Sequence, residues 1–285
     1  MTQNLSPAFV LPPIAPRRHA ARWVLAAVAL CLLTLLFYSL VNNPRLEWGV
    51  VGQYLTGASI LAGVGLTIEL TAIAAMLGLL GGLALAIMRL SGNPVLAAIS
   101  WAYVWLFRSV PMLVQLFFWF NIAALYPQIA LWLPGLGRLW SAQMNNVITP
   151  FDAAVIALVL HEAAFFAEIL RAGLLGVGRG QSEAARALGF TPVRALHRII
   201  LPQAMRTMLP PIANQVVSLL KTTSVVSVIA LQDLLYSAQV IYERTFEVIP
   251  LLLVAAAWYL FMTSLLSVLQ HYAERRLSRG ARLSR

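Results

Sequence analysis

The chain alternates between long apolar runs and shorter polar stretches. The apolar runs cover residues 23–41, 58–89, 95–126, 152–173, 207–230 and 249–271. Each comes close to or exceeds the ~20 residues an α-helix needs to cross a ~30 Å hydrocarbon layer, so six spanning helices are predicted. The run at 58–89 is too long for one perpendicular crossing and must tilt or protrude. Within it, Gly78 and Gly82, with Gly81 beside them, leave room for a second helix to come close. Ser91-Gly92-Asn93-Pro94 reads as a turn. The run 95–126 holds an amphipathic lead-in and then a third span. Pro111 has no N–H and disfavours helical geometry at Val110, so a break is expected there, keeping Arg108 near the membrane surface.

Among the polar stretches, 42–57 and 231–248 read as external segments. Residues 127–150 are the longest external loop, broken by Pro127, Pro134, Gly135, Gly137 and Pro150. Its Trp132 and Trp140 suit the headgroup level. The stretch 174–206 differs: it is Arg-rich, and residues 180–202 read as two short helices meeting at a bend. Ser182 is expected to cap the first, with Glu183 near its positive end. Ala184, Ala185 and Ala187 keep that helix thin. Gly189 permits a positive φ and ends it. Thr191-Pro192 starts the second helix, on which Val193, Leu196, Ile199 and Ile200 form an apolar face. Leu201-Pro202 is expected to close it, and the next span to begin with Pro210-Pro211. Such a thin knob can fill a cleft on a soluble partner, or be an ordinary solvated loop; helix logic leaves both open.

Composition settles the broad class. Of 285 residues, 60% are hydrophobic and 11% charged, against about 45–50% and about 25% in soluble domains. The net charge of +10 comes from nineteen Arg and one Lys, Lys221. With the spans above, sixteen arginines fall on one side and three, Arg45, Arg138 and Arg244, on the other. That bias places both termini and the loop 174–206 in the cytoplasm. No basic patch is interleaved with exposed aromatics, so nucleic acid is not an expected partner. Residues 1–22 form a basic, Pro-containing tail and 276–285 another. The run 23–41 lacks a small-x-small cleavage site and is expected to be a retained helix rather than a signal peptide. Cys31 alone can form no internal disulfide. His161-Glu162 starts like a zinc-protease motif, but Phe165 stands where the second His belongs. No phosphate-binding loop and no nucleophile motif is present, so no metal, cofactor or nucleotide is expected on this chain.

Three ionisable residues, Glu69, Glu162 and Lys221, come out near mid-membrane. A charge there costs ~2.5–3.5 kcal/mol on the insertion scale and should face the bundle or a pathway. Asn214, Ser218 and Lys221 fall at i, i+4 and i+7, with Gln215 and Thr222 alongside, making one polar stripe. Glu168 and Arg171, three apart, are expected to pair near the cytoplasmic boundary.

Glu183-Ala184-Ala185, three residues, Gly189, nine residues, Ile199, one residue and Leu201-Pro202 together resemble the EAA loop of prokaryotic ABC-import permeases. Further stretches are similar to the polar amino-acid branch, the histidine/glutamate/glutamine type. They are FRSVPMLVQLF from Phe107, AAFFAEILRAG from Ala163, LPQAMR from Leu201, Pro211–Asn214 and Lys221–Ser224. Ser109-Val110 departs from that branch's Gly-Thr. The resemblance covers about residues 58–275. It implies an all-α polytopic membrane protein with a type I ABC-importer permease fold at 58–275, a five-helix core. Residues 23–57 would add an extra N-terminal transmembrane helix and an external segment. It implies that Glu183, Ala184, Ala185, Gly189, Ile199, Leu201 and Pro202 form the coupling loop. The implied partners are a cytosolic ABC ATPase dimer carrying ATP-Mg, an external solute-binding protein and a second permease subunit, identical or related. The cargo would be a polar amino acid. On that reading the stripe lines the path, with Lys221 near the substrate carboxylate and Glu162 or Glu69 near its ammonium. A structural Lys–Glu pair is the alternative for the same residues. A stand-alone secondary transporter or channel is the alternative function, but it has no use for a docking loop.

Overall fold

The computed structural model describes residues 20–133 and 137–278. The expectations for the tails 1–19 and 279–285 and for Pro134 and Gly135 fall outside it, as do the side chains of Trp132 and Trp140. The described chain divides into two units, one ending at Glu47 and one beginning at Trp48. The first holds helix α1 (Ala20–Val41), apolar on every side, followed by a 3-10 turn, Pro44–Leu46. Asn43 caps that turn by accepting from the Arg45 N–H at 3.0 Å.

The second unit is helical with one hairpin. Helix α2 (Trp48–Leu55) is followed by α3 (Ala58–Leu90), α4 (Pro94–Ser109), α5 (Met112–Phe120) and α6 (Ile122–Leu125). Strands β1 (Gln128–Leu133) and β2 (Gly137–Gln143) pair antiparallel, Gln128 opposite Gln143. Then come α7 (Met144–Val147), α8 (Pro150–Leu175), α9 (Arg179–Ala187), α10 (Pro192–Ala195), α11 (Leu201–Thr222), α12 (Leu234–Thr245) and α13 (Val248–Ser278). Five of the described helical segments are long and apolar enough to cross a membrane, and the bent pair α4–α5 makes six.

The central seam is α3 against α8. A Cβ added at Gly78 would lie 2.8 Å from the Glu162 Cβ, and one at Gly82 2.6 Å from the Phe166 Cβ and 2.8 Å from the Ala167 nitrogen. Only hydrogen fits at either place. The facing stripe of α8 is small as well: Ala153, Ala154, Ala157, Ala163, Ala164 and Ala167 are all buried. Lipid tails are as apolar as Leu, so close van der Waals fit, not expulsion of apolar surface from water, holds this seam. A core cluster spreads from it, joining Leu70, Met112, Leu116, Leu158 and Leu219.

The break in the third span is sharper than a kink: α4 and α5 meet at 101°. Pro111 has no N–H for the Phe107 carbonyl. The Gln115 Nε2 donates there instead, at 2.9 Å, and to the Val110 carbonyl at 2.8 Å. Helix α4 thus lies across α3 and α8, with Ser100 Oγ donating to Leu85 O and Tyr103 OH to Leu160 O.

Several boundaries differ from those predicted. The loop predicted at 127–150 carries the β1–β2 hairpin and α7, and Pro150 opens α8 instead of breaking the chain. Thr149 and Asp152 form a capping box around it, with Asp152 N–H to Thr149 Oγ1 at 3.2 Å and Thr149 N–H to Asp152 Oδ2 at 3.0 Å. Within the stretches 48–57 and 231–248, α2 and α12 are docked on the spans. Trp258 Nε1 donates to Leu55 O at 2.8 Å, and Leu234 and Ala238 of α12 are fully buried. Asp233 caps α12 and accepts from Tyr259 OH, while the Leu234 N–H donates to Thr67 Oγ1.

Replacing Gly82 by Leu drives side-chain carbons into Phe166 and the α8 backbone and should destabilise the protein by about 1–3 kcal/mol. Gly65→Ala, on the same helix with nothing within 4 Å, should be close to neutral. Thermal unfolding of the two variants in one detergent checks this; equal midpoints would mean the seam is not closely fitted.

Candidate functional site

The polar loop between α8 and α11 is the two-helix knob expected from its sequence. Helix α9 ends at Ala187, and the chain turns away from it at Gly189, whose φ is +76°. The Gly189 N–H donates to Arg186 O at 2.9 Å and the Phe190 N–H to Ala185 O at 3.0 Å, the paired bonds of a Schellman motif. Thr191 caps α10 by accepting from the Arg194 N–H, and Pro192 occupies the first position. Ala185 and Ala195 are buried, whereas Glu183, Ala184 and Gly189 face outward. Glu183 has no ion-pair partner among the described residues. Gln203 Nε2 donates to Gln181 Oε1, tying α9 to the start of α11.

Two expectations for this loop need correction. Ser182 does not cap α9, which begins three residues earlier at Arg179. Nor does Leu201-Pro202 close the second helix. A π-helical turn, Leu196–Ile200, carries α10 straight into α11, with the Leu201 N–H donating to Leu196 O. The widened turn accommodates Pro202, which has no N–H to give and whose ring would crowd a regular preceding turn. Pro210-Pro211 accordingly lie inside α11, not at its start. Ile199 and Leu201 are half-buried and Pro202 is exposed. Of the predicted apolar face only Val193, 66% exposed, and Leu196 are open to the outside, Ile199 and Ile200 being half-buried; Leu188, which follows α9 and which periodicity did not single out, is 76% exposed.

Helical segment Pro192–Ile229 runs unbroken for 38 residues, roughly 55–60 Å at ~1.5 Å per residue against a ~30 Å hydrocarbon layer. Knob and span are one rod. Near its far end the α-helix tightens into a 3-10 segment, Thr223–Ile229. Hydroxyls bond back to carbonyls throughout this transition: Thr223 to Leu220 O, Ser224 to Lys221 O and Ser227 to Ser224 O, each at 2.8 Å. The hydroxyl run after Lys221 was the sequence signal for it.

The predicted stripe on α11 is present and exposed at Asn214, Ser218 and Lys221, with Gln215 and Thr222 half-buried. Asn214 Oδ1 accepts from Gln270 Nε2 at 3.0 Å. The structure does not bring the intramembrane charges together. Glu69 is exposed on α3, and neither Glu69 nor Glu162 pairs with Lys221 among the described residues. Glu162 is 1% exposed, and its carboxylate accepts from Gln215 Nε2 at 3.0 and 3.3 Å, joining α8 to α11. Glu168 and Arg171 form the predicted pair, 2.8 Å apart. Sequence reasoning missed Gln115 as the group that repairs the broken span. Its place four residues after Pro111 was the available clue.

Comparison with known proteins adds three findings. Residues 74–279 match the family described as binding-protein-dependent transport system inner membrane component. The chain is 42% identical over 267 residues to the arginine transport system permease protein ArgU of Corynebacterium glutamicum, covering 93% of this chain and 83% of that one. It is 37% identical over 218 residues to the glutamate/aspartate import permease protein GltK of Escherichia coli O6:H1, covering 76% and 92%. Among solved structures it is similar to an amino acid ABC transporter crystallised with histidines. That likeness has TM-score 0.66 and 33% identity, and covers 76% of this chain and 94% of that one.

Removing the Glu162–Gln215 link should be felt as stability. Gln215→Leu leaves a buried carboxyl unpaired and should cost about 1–3 kcal/mol. Glu162→Gln can keep an amide–amide bond and should lose less. Unfolding midpoints of the purified variants test the order; a Gln215→Leu midpoint at or above that of Glu162→Gln contradicts it.

Proposed function

The chain belongs to the family of binding-protein-dependent transport system inner membrane components, and from that premise we infer that it is the permease subunit of an ATP-driven importer of a polar amino acid. It has no ATPase of its own; hydrolysis belongs to a separate subunit. We propose that two cytosolic ATPase subunits carrying ATP-Mg, an external solute-binding protein and a second permease subunit, identical or related, complete the assembly. The sixteen-to-three arginine bias supports cytoplasmic termini and a cytoplasmic knob.

The observation that carries the coupling role is the continuity of α10 and α11. A knob with outward Glu183, Ala184 and Gly189 and exposed Leu188 and Val193 offers a small mixed surface to an ATPase cleft. Because α10 runs through the π turn into the span, displacement of the knob displaces the rod bearing Asn214, Ser218 and Lys221. In the proposed cycle, ATP-driven closure of the ATPase dimer draws two knobs together and opens the spans outward. Hydrolysis lets them return inward.

The stripe faces away from its own bundle. An ammonium against lipid is costly, so this face belongs to a water-filled path or to the second permease subunit. We assign Asn214, Ser218 and Lys221 to the path, with Lys221 available to a substrate carboxylate and Glu69 to an ammonium. Glu162, held by Gln215 behind the stripe, ties α8 to α11.

Glu183→Lys and Gly189→Val should each lower ATP-dependent uptake in proteoliposomes at least ten-fold, while the protein still inserts. The first reverses a charge at the knob surface. The second forces a β-branched residue to positive φ, worth about 1–2 kcal/mol of strain. Normal uptake in both variants would remove the coupling role. Uptake by the wild-type chain without any ATPase would favour a stand-alone transporter. Lys221→Met should lower uptake while leaving ATPase co-purification intact; unchanged uptake would make this lysine structural.

A further inference from the structure

A cleft of about 320 Å³ opens where α3, α4 and α8 meet, at the end of the bundle that leads into α9. Arg89, Arg108 and Arg171 line it with Glu168, and Trp101 and Trp105 stand beside them. The transport mechanism proposed above uses none of these residues. Their charges do not balance. Glu168 is committed to Arg171, with Arg171 Nε donating to Oε1 at 3.1 Å and Nη2 to Oε2 at 2.8 Å. Arg89 spends only Nη1, on the Ala97 carbonyl at 2.8 Å. Arg108 makes no hydrogen bond or ion pair among the described residues. Its guanidinium lies 5.2 Å from the centroid of the Phe165 ring, a contact that orients the group without neutralising it. Two guanidiniums therefore converge on one cleft whose carboxylate, Glu168, lies within their electrostatic reach but is hydrogen-bonded to Arg171 alone.

The surroundings indicate what kind of anion fits. Trp101 and Trp105, 54% and 58% exposed, stack at 6.2 Å with their planes 13° apart. They sit on the outer face of α4, which crosses the bundle end where the chain leaves the hydrocarbon. Exposed indoles at that level are the amphipathic groups that anchor to a membrane interface. A ligand filling the cleft meets guanidinium forks on one side and apolar rings on the other. A free inorganic anion would use only the first.

We infer that this cleft holds the phosphate of an anionic glycerophospholipid, with Arg89 and Arg108 on the phosphate and the Trp101–Trp105 pair against its glycerol and acyl region. Guanidinium and phosphate match as fork and oxygens, and basic pockets between spanning helices take acidic lipid head groups. The assignment does not depend on which solute the protein carries.

Native mass spectrometry of the full-length chain in detergent, titrated with phosphatidylglycerol or phosphatidylcholine, tests it. One phosphatidylglycerol should be retained in preference to phosphatidylcholine. Arg108→Gln, which breaks no hydrogen bond, should weaken that binding about five-fold, and Arg89→Gln/Arg108→Gln about thirty-fold. Arg206→Gln, which removes a charge elsewhere on the protein, should leave it unchanged. Millimolar glycerol phosphate should not displace the lipid. Equal retention of the two lipids, equal binding by wild type and both cleft variants, or an equal loss in Arg206→Gln would overturn the proposal. Displacement by glycerol phosphate would overturn the lipid assignment in favour of a soluble phosphate.

Discussion

A backbone carbonyl in hydrocarbon has no water to turn to, so each departure from a regular helix must supply its own partner. Among the described residues two such departures lie in spans and a third, at the exposed Pro202, in the loop that leads into one, and each repair shapes what the neighbouring segment can do. At Pro111 the Gln115 amide takes the freed Phe107 carbonyl, which allows a bend of 101° and turns α4 across the bundle. At Pro202 a π turn absorbs the missing donor, which keeps α10 and α11 one continuous helical segment. Beyond Lys221, Thr and Ser hydroxyls bond back to the tightened 3-10 turns. The bent element and the continuous one therefore follow from one constraint met in different ways.

Between these departures the bundle is held by closeness. Gly78 and Gly82 bring α3 onto the small face of α8, and that seam fixes where Glu162 stands. Glu162 then reaches α11 through Gln215, so the central seam and the rod are linked by a buried polar contact. The helical segment carries two surfaces of different character: a compact knob at one end and an exposed polar stripe roughly 30–45 Å along, at ~1.5 Å per residue. A rigid connection between such surfaces is the mechanical requirement for coupling a soluble motor to a membrane path.

Much of this was legible from local chemistry. Span positions follow from apolar run length, the third-span break from Pro111, the knob's bend from Gly189 and its second cap from Thr191-Pro192. The stripe follows from the spacing of Asn214, Ser218 and Lys221, and the Glu168–Arg171 pair from theirs. Other features were not legible because local signals point two ways. Proline usually marks the start of a helix, so Pro202 and Pro210-Pro211 read as boundaries. Ser182 reads as a cap because nothing local says that α9 has already begun. The residues 127–150 are rich in turn formers, and the hairpin they make depends on strand pairing across the turn.

By itself, the sequence determined that the chain is a membrane bundle, that its arginines gather on one side of it, and where a polar two-helix element lies. These are short-range matters of solvation, charge count and backbone freedom. Only the tertiary structure decided that Glu162 answers to Gln215 and not to Lys221, that Gln115 mends the bend, and that Arg89 and Arg108 converge on one cleft whose carboxylate, Glu168, bonds to Arg171. Partner choice depends on which side chains three-dimensional packing brings within about 3 Å, and residues dozens of positions apart carry no local sign of it.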